Sequence, residues 1–156
     1  MIGVSEASTA SAHRPNPARV VPTSTYRLQI HEGFTYDDAA GHTEYLASLG
    51  VSHVYLSPVL QAAPGSMHGY DVLDHTRISE AAGGRGGFER LVTACRAAGL
   101  GIIVDVVPNH MAVPQPAHLN APFWSLLREG RRSPYAGWFD VDWVAEDDRV
   151  IKPRPG

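Results

Sequence analysis

The chain has 156 residues, 44% of them hydrophobic, which is enough apolar material for a folded core. Its net charge of -3, with no Lys/Arg-rich run, leaves no electrostatic footprint for nucleic acid or an anionic membrane surface. The single cysteine, Cys95, excludes an intrachain disulfide framework and a cysteine-based zinc cluster, and it fits a reducing compartment.

Residues 1–21 read as a disordered leader on a cytoplasmic protein: Ser, Ala, Pro and Arg dominate, without the continuous apolar stretch of a secretory signal. No later run approaches the roughly 20 apolar residues that span a bilayer. Folding signals begin at Pro22. Residues 23–30 carry β-branched and aromatic side chains with partial alternation and predict a first strand. Thr35 and Asp38 have the spacing of a capping box, in which a hydroxyl and a carboxylate each satisfy a backbone N–H at a helix start. A helix is expected from there to Leu49, with Gly50 as its C-cap. Residues 51–57 form a short apolar run stopped by Pro58 and predict a second, buried strand.

Residues 58–87 read as a long loop. Phe88, Leu91, Val92, Cys95 and Ala98 then recur at helical spacing, one apolar face of a helix that ends at Gly99. Residues 102–107 are the most apolar strand, and Asp105 lies inside it. Beyond His110 the chain turns Pro-rich and aromatic, with Phe123-Trp124, Tyr135 and Trp138-Phe139, and reads as an excursion from the repeating pattern. Strands and helices in alternation, with apolar runs in place of clean period-two patterns, indicate an α/β fold with a parallel sheet, either barrel or doubly wound.

Ligands of parallel α/β folds bind at the carboxyl ends of the strands, so the polar residues there are the first candidates. Asp105 is costly to bury unless it is paired, and a hydrogen-bond partner is expected for it. Asn109 and His110 follow Pro108, which cannot donate to a sheet ladder. From the preceding loop, Tyr70 after Gly69 offers an aromatic face on a flexible turn, suited to packing on a sugar ring. His68 and Asp71 beside it add the donors and acceptors that sugar hydroxyls require. The combination describes a site for a neutral, hydroxyl-rich ligand.

The stretch Asp105-Val106-Val107-Pro108-Asn109-His110 resembles the first conserved region of the α-amylase superfamily of glycoside hydrolases and transglycosidases, and His68-Gly69-Tyr70 resembles its second-loop motif. Thr25-Tyr26-Arg27-Leu28-Gln29, Leu49-Gly50-Val51-Ser52-His53, residues 65–71 and 107–111, and Phe139-Asp140-Val141-Asp142-Trp143 narrow the resemblance to the maltooligosyltrehalose synthase family within it, over residues 22–156. The chain departs from that family at Pro153-Arg154-Pro155-Gly156, where an apolar Pro-Val-Leu-Gly is usual.

The resemblance implies the N-terminal part of a (β/α)8 TIM barrel. Residues 22–111 would supply about three βα units, and residues 112–156 the truncated start of an inserted domain. It implies an isomerase, a 1,4-α-D-glucan 1-α-D-glucosylmutase of trehalose biosynthesis. Such enzymes convert the reducing-end α-1,4 linkage of a maltooligosaccharide to an α,α-1,1 linkage by intramolecular glucosyl transfer. Tyr70 would stack on the sugar beside the scissile bond, and His68 and His110 would hydrogen-bond its hydroxyls. Asp71 would contact the same subsite or a neighbouring arginine, with Asp105 and Asn109 in support. Asn109 matches a calcium ligand of some amylases, yet no metal or other cofactor is expected here. The family's catalytic carboxylates follow the fourth, fifth and seventh strands, and a whole barrel takes about 250 residues. No catalytic residue is therefore assigned, the remainder of the barrel is the required partner, and the isolated chain is expected to be inactive and, with an open sheet edge, poorly soluble.

Another α-1,4-glucan hydrolase of the superfamily and a non-catalytic carbohydrate-binding fragment are the competing readings. A nucleotide-binding loop at Gly83-Gly84-Arg85-Gly86-Gly87 is rejected, because no clear strand precedes it and no Gly-Lys-Ser/Thr follows. The eight histidines have no metal-ligand spacing. Asp140, Asp142, Glu146, Asp147 and Asp148 read as solvated or structural acids instead of a catalytic pair.

Overall fold

In the computed structural model, which describes residues 21–143, strand β1 (Thr25–Leu28) lies beside β2 (His53–Leu56), and β2 beside β5 (Gly101–Val104). The leader up to residue 20, Glu146, Asp147, Asp148 and the departing segment 153–156 lie outside the described residues. All pairings in this sheet are parallel, in the order β1-β2-β5, with Thr25 opposite His53 and His53 opposite Gly101. Parallel neighbours need crossover connections, and helices supply them.

The capping box forms as expected. Thr35 accepts from the Asp38 N–H while the Asp38 carboxylate accepts from the Thr35 N–H at 2.8 Å, and those Thr35 contacts hold the Asp38 carboxyl below the usual range. The single helix expected to Leu49 is instead two short ones, α1 (Tyr36–Gly41) and α2 (Thr43–Ser48), broken at His42. The His42 ring explains the break. Its Nδ1 sits 2.7 Å from the Asp38 carbonyl, the oxygen that a continuing helix would give to the His42 N–H, which bonds the Ala39 carbonyl instead. Gly41 just before it is a poor helix former.

The expected loop at 58–87 also holds more structure. It contains an antiparallel pair, β3 (Leu60–Ala62) and β4 (Val72–Ile78), and the start of α3 (Gly84–Ala97). The pair carries register shifts on both sides of Gln61, and that irregularity hides the strand period in the sequence. Gly83 and Gly84, with φ of 108° and 62°, turn the chain into α3 four residues ahead of Phe88. The glycine cluster is therefore the first turn of a helix packed on Tyr36, whose ring lies 3.4 Å from where a Gly87 Cβ would stand.

The helices cover one face of the sheet. Leu28, Val54 and Leu56 from the strands join Tyr36, Ala39, Leu46, Leu91 and Cys95 in one buried cluster, with Ile102 and Val104 packed against it. Each large side chain removed from water there contributes about 1.5–3 kcal/mol. The bidentate Arg90–Asp37 pair between α3 and α1, at 2.6 and 2.7 Å, is open to solvent, where screening and side-chain ordering offset most of its attraction. Burial, not this ion pair, holds the two helices together.

The opposite face of the sheet carries Arg27, His53, Tyr55 and Ile103, the alternate residues of the same strands. His53 is buried over Gly101, where an added Cβ would come within 2.2 Å of the ring. After β5 no further strand occurs among the described residues. The chain runs through short 3-10 turns and α4 (Ala121–Glu129), which the buried Asn120 caps by accepting from the Phe123 N–H and donating to the Ala112 carbonyl.

Candidate functional site

Asp105 stands one residue past β5 instead of inside a longer strand. Its N–H still bonds the Leu56 carbonyl at 3.0 Å, so the sheet fixes its backbone while its side chain faces the carboxyl end. It is only half buried, and its expected partners are present. Oδ2 accepts the Tyr70 hydroxyl at 2.5 Å and the Tyr55 hydroxyl at 3.0 Å. Those contacts, Tyr70 first, together with the Val106 N–H and the Arg27 charge, hold the Asp105 carboxyl below the usual carboxylate range. The same bond pushes the Tyr55 phenol up.

Tyr70 reaches Asp105 from a turn that only glycine permits. Gly69 has φ 78°, and a Cβ on it would stand 2.7 Å from the Pro58 carbonyl oxygen. The Tyr70 ring is 39% exposed and stacks on His68 at 6.0 Å between centroids and 24° between planes. The Tyr70 N–H donates to His68 Nδ1 at 3.0 Å, so that nitrogen carries no proton and Nε2–H is left to donate outward. Asp71 lies 3.8 Å from the same Nδ1, too far for a hydrogen bond, and its Oδ1 instead accepts the Ser66 hydroxyl within the turn.

His110 closes the other side. Its Nε2 lies 3.1 Å from the Tyr70 carbonyl and its Nδ1 3.1 Å from Asn109 Oδ1, two oxygens that a neutral imidazole cannot both serve as donor. Turning the Asn109 amide over, so that its N–H group meets Nδ1, satisfies both. Beyond His110 and Asn109 a cleft of about 870 Å³ opens toward the excursion, where Phe123, Leu127, Trp138 and Phe139 line it.

Thus His68, Tyr70, Asp105, Asn109 and His110 meet at one strand-end rim, while the Asp71 carboxylate is engaged in holding the turn that carries Tyr70. Tyr55, Arg27 and Gln29 are additions that the sequence reading passed over. The Arg27 guanidinium lies over the Tyr55 ring at 5.7 Å and donates to Gln29 Oε1 at 2.7 Å, and Gln29 Nε2 donates to the Met67 carbonyl at 3.0 Å. Their signal was present in the alternation of Arg27 in β1 with Gln29 just past its end, and of His53 and Tyr55 along β2. It could be read only by knowing which face looks inward. Among the described residues no group of three or more His, Cys, Asp or Glu side chains is placed to hold a metal ion.

The family model described as alpha amylase, catalytic domain matches residues 37–153. A proposed maltooligosyl trehalose synthase of Mycobacterium tuberculosis is 49% identical over 138 residues, covering 85% of this chain and 18% of that protein. A maltogenic alpha-amylase of Bacillus acidopullulyticus is 32% identical over 114 residues, 73% of this chain and 18% of that protein. Among solved structures, maltooligosyltrehalose synthase from Arthrobacter ramosus superposes with a TM-score of 0.76 at 49% identity, over 78% of this chain and 16% of that one. The chain thus spans less than a fifth of the length of each of these three relatives. Strand order β1-β2-β5 also opens one half of a doubly wound sheet, and these likenesses decide for the barrel.

Proposed function

We propose, from the premise that this chain belongs to the alpha-amylase catalytic-domain family, that it forms the opening strands and one glucan-binding wall of a maltooligosyltrehalose synthase. The enzyme would move the reducing-end α-1,4 linkage of a maltooligosaccharide to an α,α-1,1 linkage. One observation carries the choice within the family: identity is 49% to the M. tuberculosis relative and 32% to the maltogenic amylase over comparable stretches.

In this reading the exposed Tyr70 ring stacks on the glucose unit beside the scissile bond. Its hydroxyl is held by Asp105, so the ring is fixed before substrate arrives and little ordering entropy is lost on binding. His68, with Nε2–H free of the turn, bonds the sugar hydroxyls, and His110, held between Asn109 and the Tyr70 carbonyl, reaches them by exchanging one of those two partners for the sugar. Asp71 shapes the turn through Ser66. The bond-breaking step is that of a retaining glycosidase, in which two carboxylates about 5 to 5.5 Å apart act as nucleophile and acid/base. Glucose takes the place of water as acceptor, and exclusion of water from the closed site favours transfer over hydrolysis. Those carboxylates belong to later barrel strands than the three of the described parallel sheet, and residues from 112 onward belong to an inserted domain. Cytoplasmic location is part of the same proposal. Cys95, buried with its thiol pushed up to about 11, is consistent with a compartment where no disulfide is needed.

The test is to incubate the enzyme, expressed from its complete reading frame, with maltopentaose and follow reducing ends. Loss of reducing ends with formation of a trehalosyl product is expected. Release of new reducing sugar without that product would identify a hydrolase instead.

A further inference from the structure

We propose that Tyr55 and Arg27 are positioning residues of the site: from inward-facing places on two adjacent strands they fix Asp105 and the 66–71 turn, so that the Tyr70 ring meets its ligand in a single orientation.

The inference rests on the glucan-stacking reading of Tyr70 and deepens it. The Tyr70 ring sits on a short glycine turn at the edge of the sheet, and a turn of that kind does not orient an exposed ring by itself. Two tethers reach the turn from the sheet. One runs from Tyr55 through Asp105 to the Tyr70 hydroxyl, both phenols sharing the single oxygen Oδ2. The other runs from Arg27 through Gln29 to the Met67 carbonyl. Arg27 joins them, because its guanidinium also lies over the Tyr55 ring and the two residues are direct register partners. A carboxylate holding one hydroxyl would turn about its own side-chain torsions. Holding a second hydroxyl that comes from a rigid strand fixes its plane. Neither Tyr55 nor Arg27 needs to touch the sugar for this, and both act through Asp105 and Gln29.

The experiment measures maltotriose binding and maltopentaose turnover in the enzyme from its complete reading frame, comparing wild type, Tyr55→Phe, Tyr70→Phe and the double variant. Tyr55→Phe keeps the ring and removes one hydroxyl, and it is expected to weaken maltotriose binding about five- to tenfold, less than the roughly ten- to hundredfold of a charge-assisted hydrogen bond made to the ligand itself, because the lost bond acts only through Asp105. The double variant is expected to bind no more weakly than Tyr70→Phe alone, because the path through Asp105 is already cut. Arg27→Met should weaken binding and Arg27→Lys restore part of it. Unchanged binding in Tyr55→Phe overturns the inference, and so does a loss that simply adds to that of Tyr70→Phe, which a merely structural tyrosine would give. A wild type that neither binds nor converts maltooligosaccharide sinks the glucan reading separately. A crystal structure of Tyr55→Phe then still decides the positioning role: a Tyr70 hydroxyl released from Asp105 supports it, and an unmoved Tyr70 overturns it.

Discussion

Replacing Gly69 by alanine tests whether the turn that carries Tyr70 is built around its glycine. Two separate penalties meet there. At φ 78° an L-residue costs roughly 1–2 kcal/mol. The new methyl would also stand 2.7 Å from the Pro58 carbonyl oxygen, a backbone atom of a buried residue two positions past the end of β2. Forcing an extra carbon into a packed place costs typically about 1–3 kcal/mol. Gly65 separates the two, because it has φ 76° in the same loop and nothing within 4 Å of its would-be Cβ. Gly65→Ala should therefore show the conformational penalty alone. Relief of the clash in Gly69→Ala must come from the turn, since the sheet side is fixed, and movement of the turn draws Tyr70 from Asp105. We expect maltotriose binding, measured by calorimetry on the enzyme from its complete reading frame, to fall about fivefold to a hundredfold in Gly69→Ala, the clash converted at tenfold per roughly 1.4 kcal/mol. In Gly65→Ala it should fall less than about threefold. Equal losses in the two variants, or none in Gly69→Ala, would refute the reasoning.

Other consequences follow from the same geometry. Gly101→Ala should destabilise by about 1–3 kcal/mol in urea unfolding through the clash with His53, and in a His53→Ala background the same change should cost almost nothing; a full cost in both backgrounds removes His53 as the cause. Because the folded Asp105 carboxyl is held below the ordinary value of 3.8, the stability from its tyrosine bonds is fully present above that pH and is lost only as pH falls through the lowered value. Binding at constant ionic strength should accordingly show no Asp105 transition between about pH 5 and 8, and one appearing there in wild type would contradict the bonded geometry. Cys95 has its thiol raised to about 11 by burial, so at pH 8 it should react with a thiol reagent only as fast as the protein opens, and instantaneous labelling of the folded protein would show the burial to be wrong.

Much of this chain is decided by signals a few residues long, and those are legible in the sequence. The Thr35–Asp38 capping box, the apolar face through Leu91 and Cys95, and the three strands of the sheet depend on local hydrogen bonding and on one period of burial, and all are present. So is the rim itself, since polar residues placed just beyond apolar runs must emerge at the strand ends. Tertiary structure decided the rest. His42 breaks a helix by offering its ring to the Asp38 carbonyl, a choice between two local bonds of similar strength that sequence spacing does not rank. The β3–β4 pair follows no clean period because both its register shifts flank Gln61. Asp71 turned inward to Ser66, and Tyr55 reached across 50 positions of sequence to Asp105. Which oxygen meets which hydroxyl depends on the parallel register that sets β1, β2 and β5 side by side, and no residue carries that information within its own neighbourhood. The sequence by itself determined that a polar rim would form at these strand ends; the register of the assembled sheet decided which side chains hold it still.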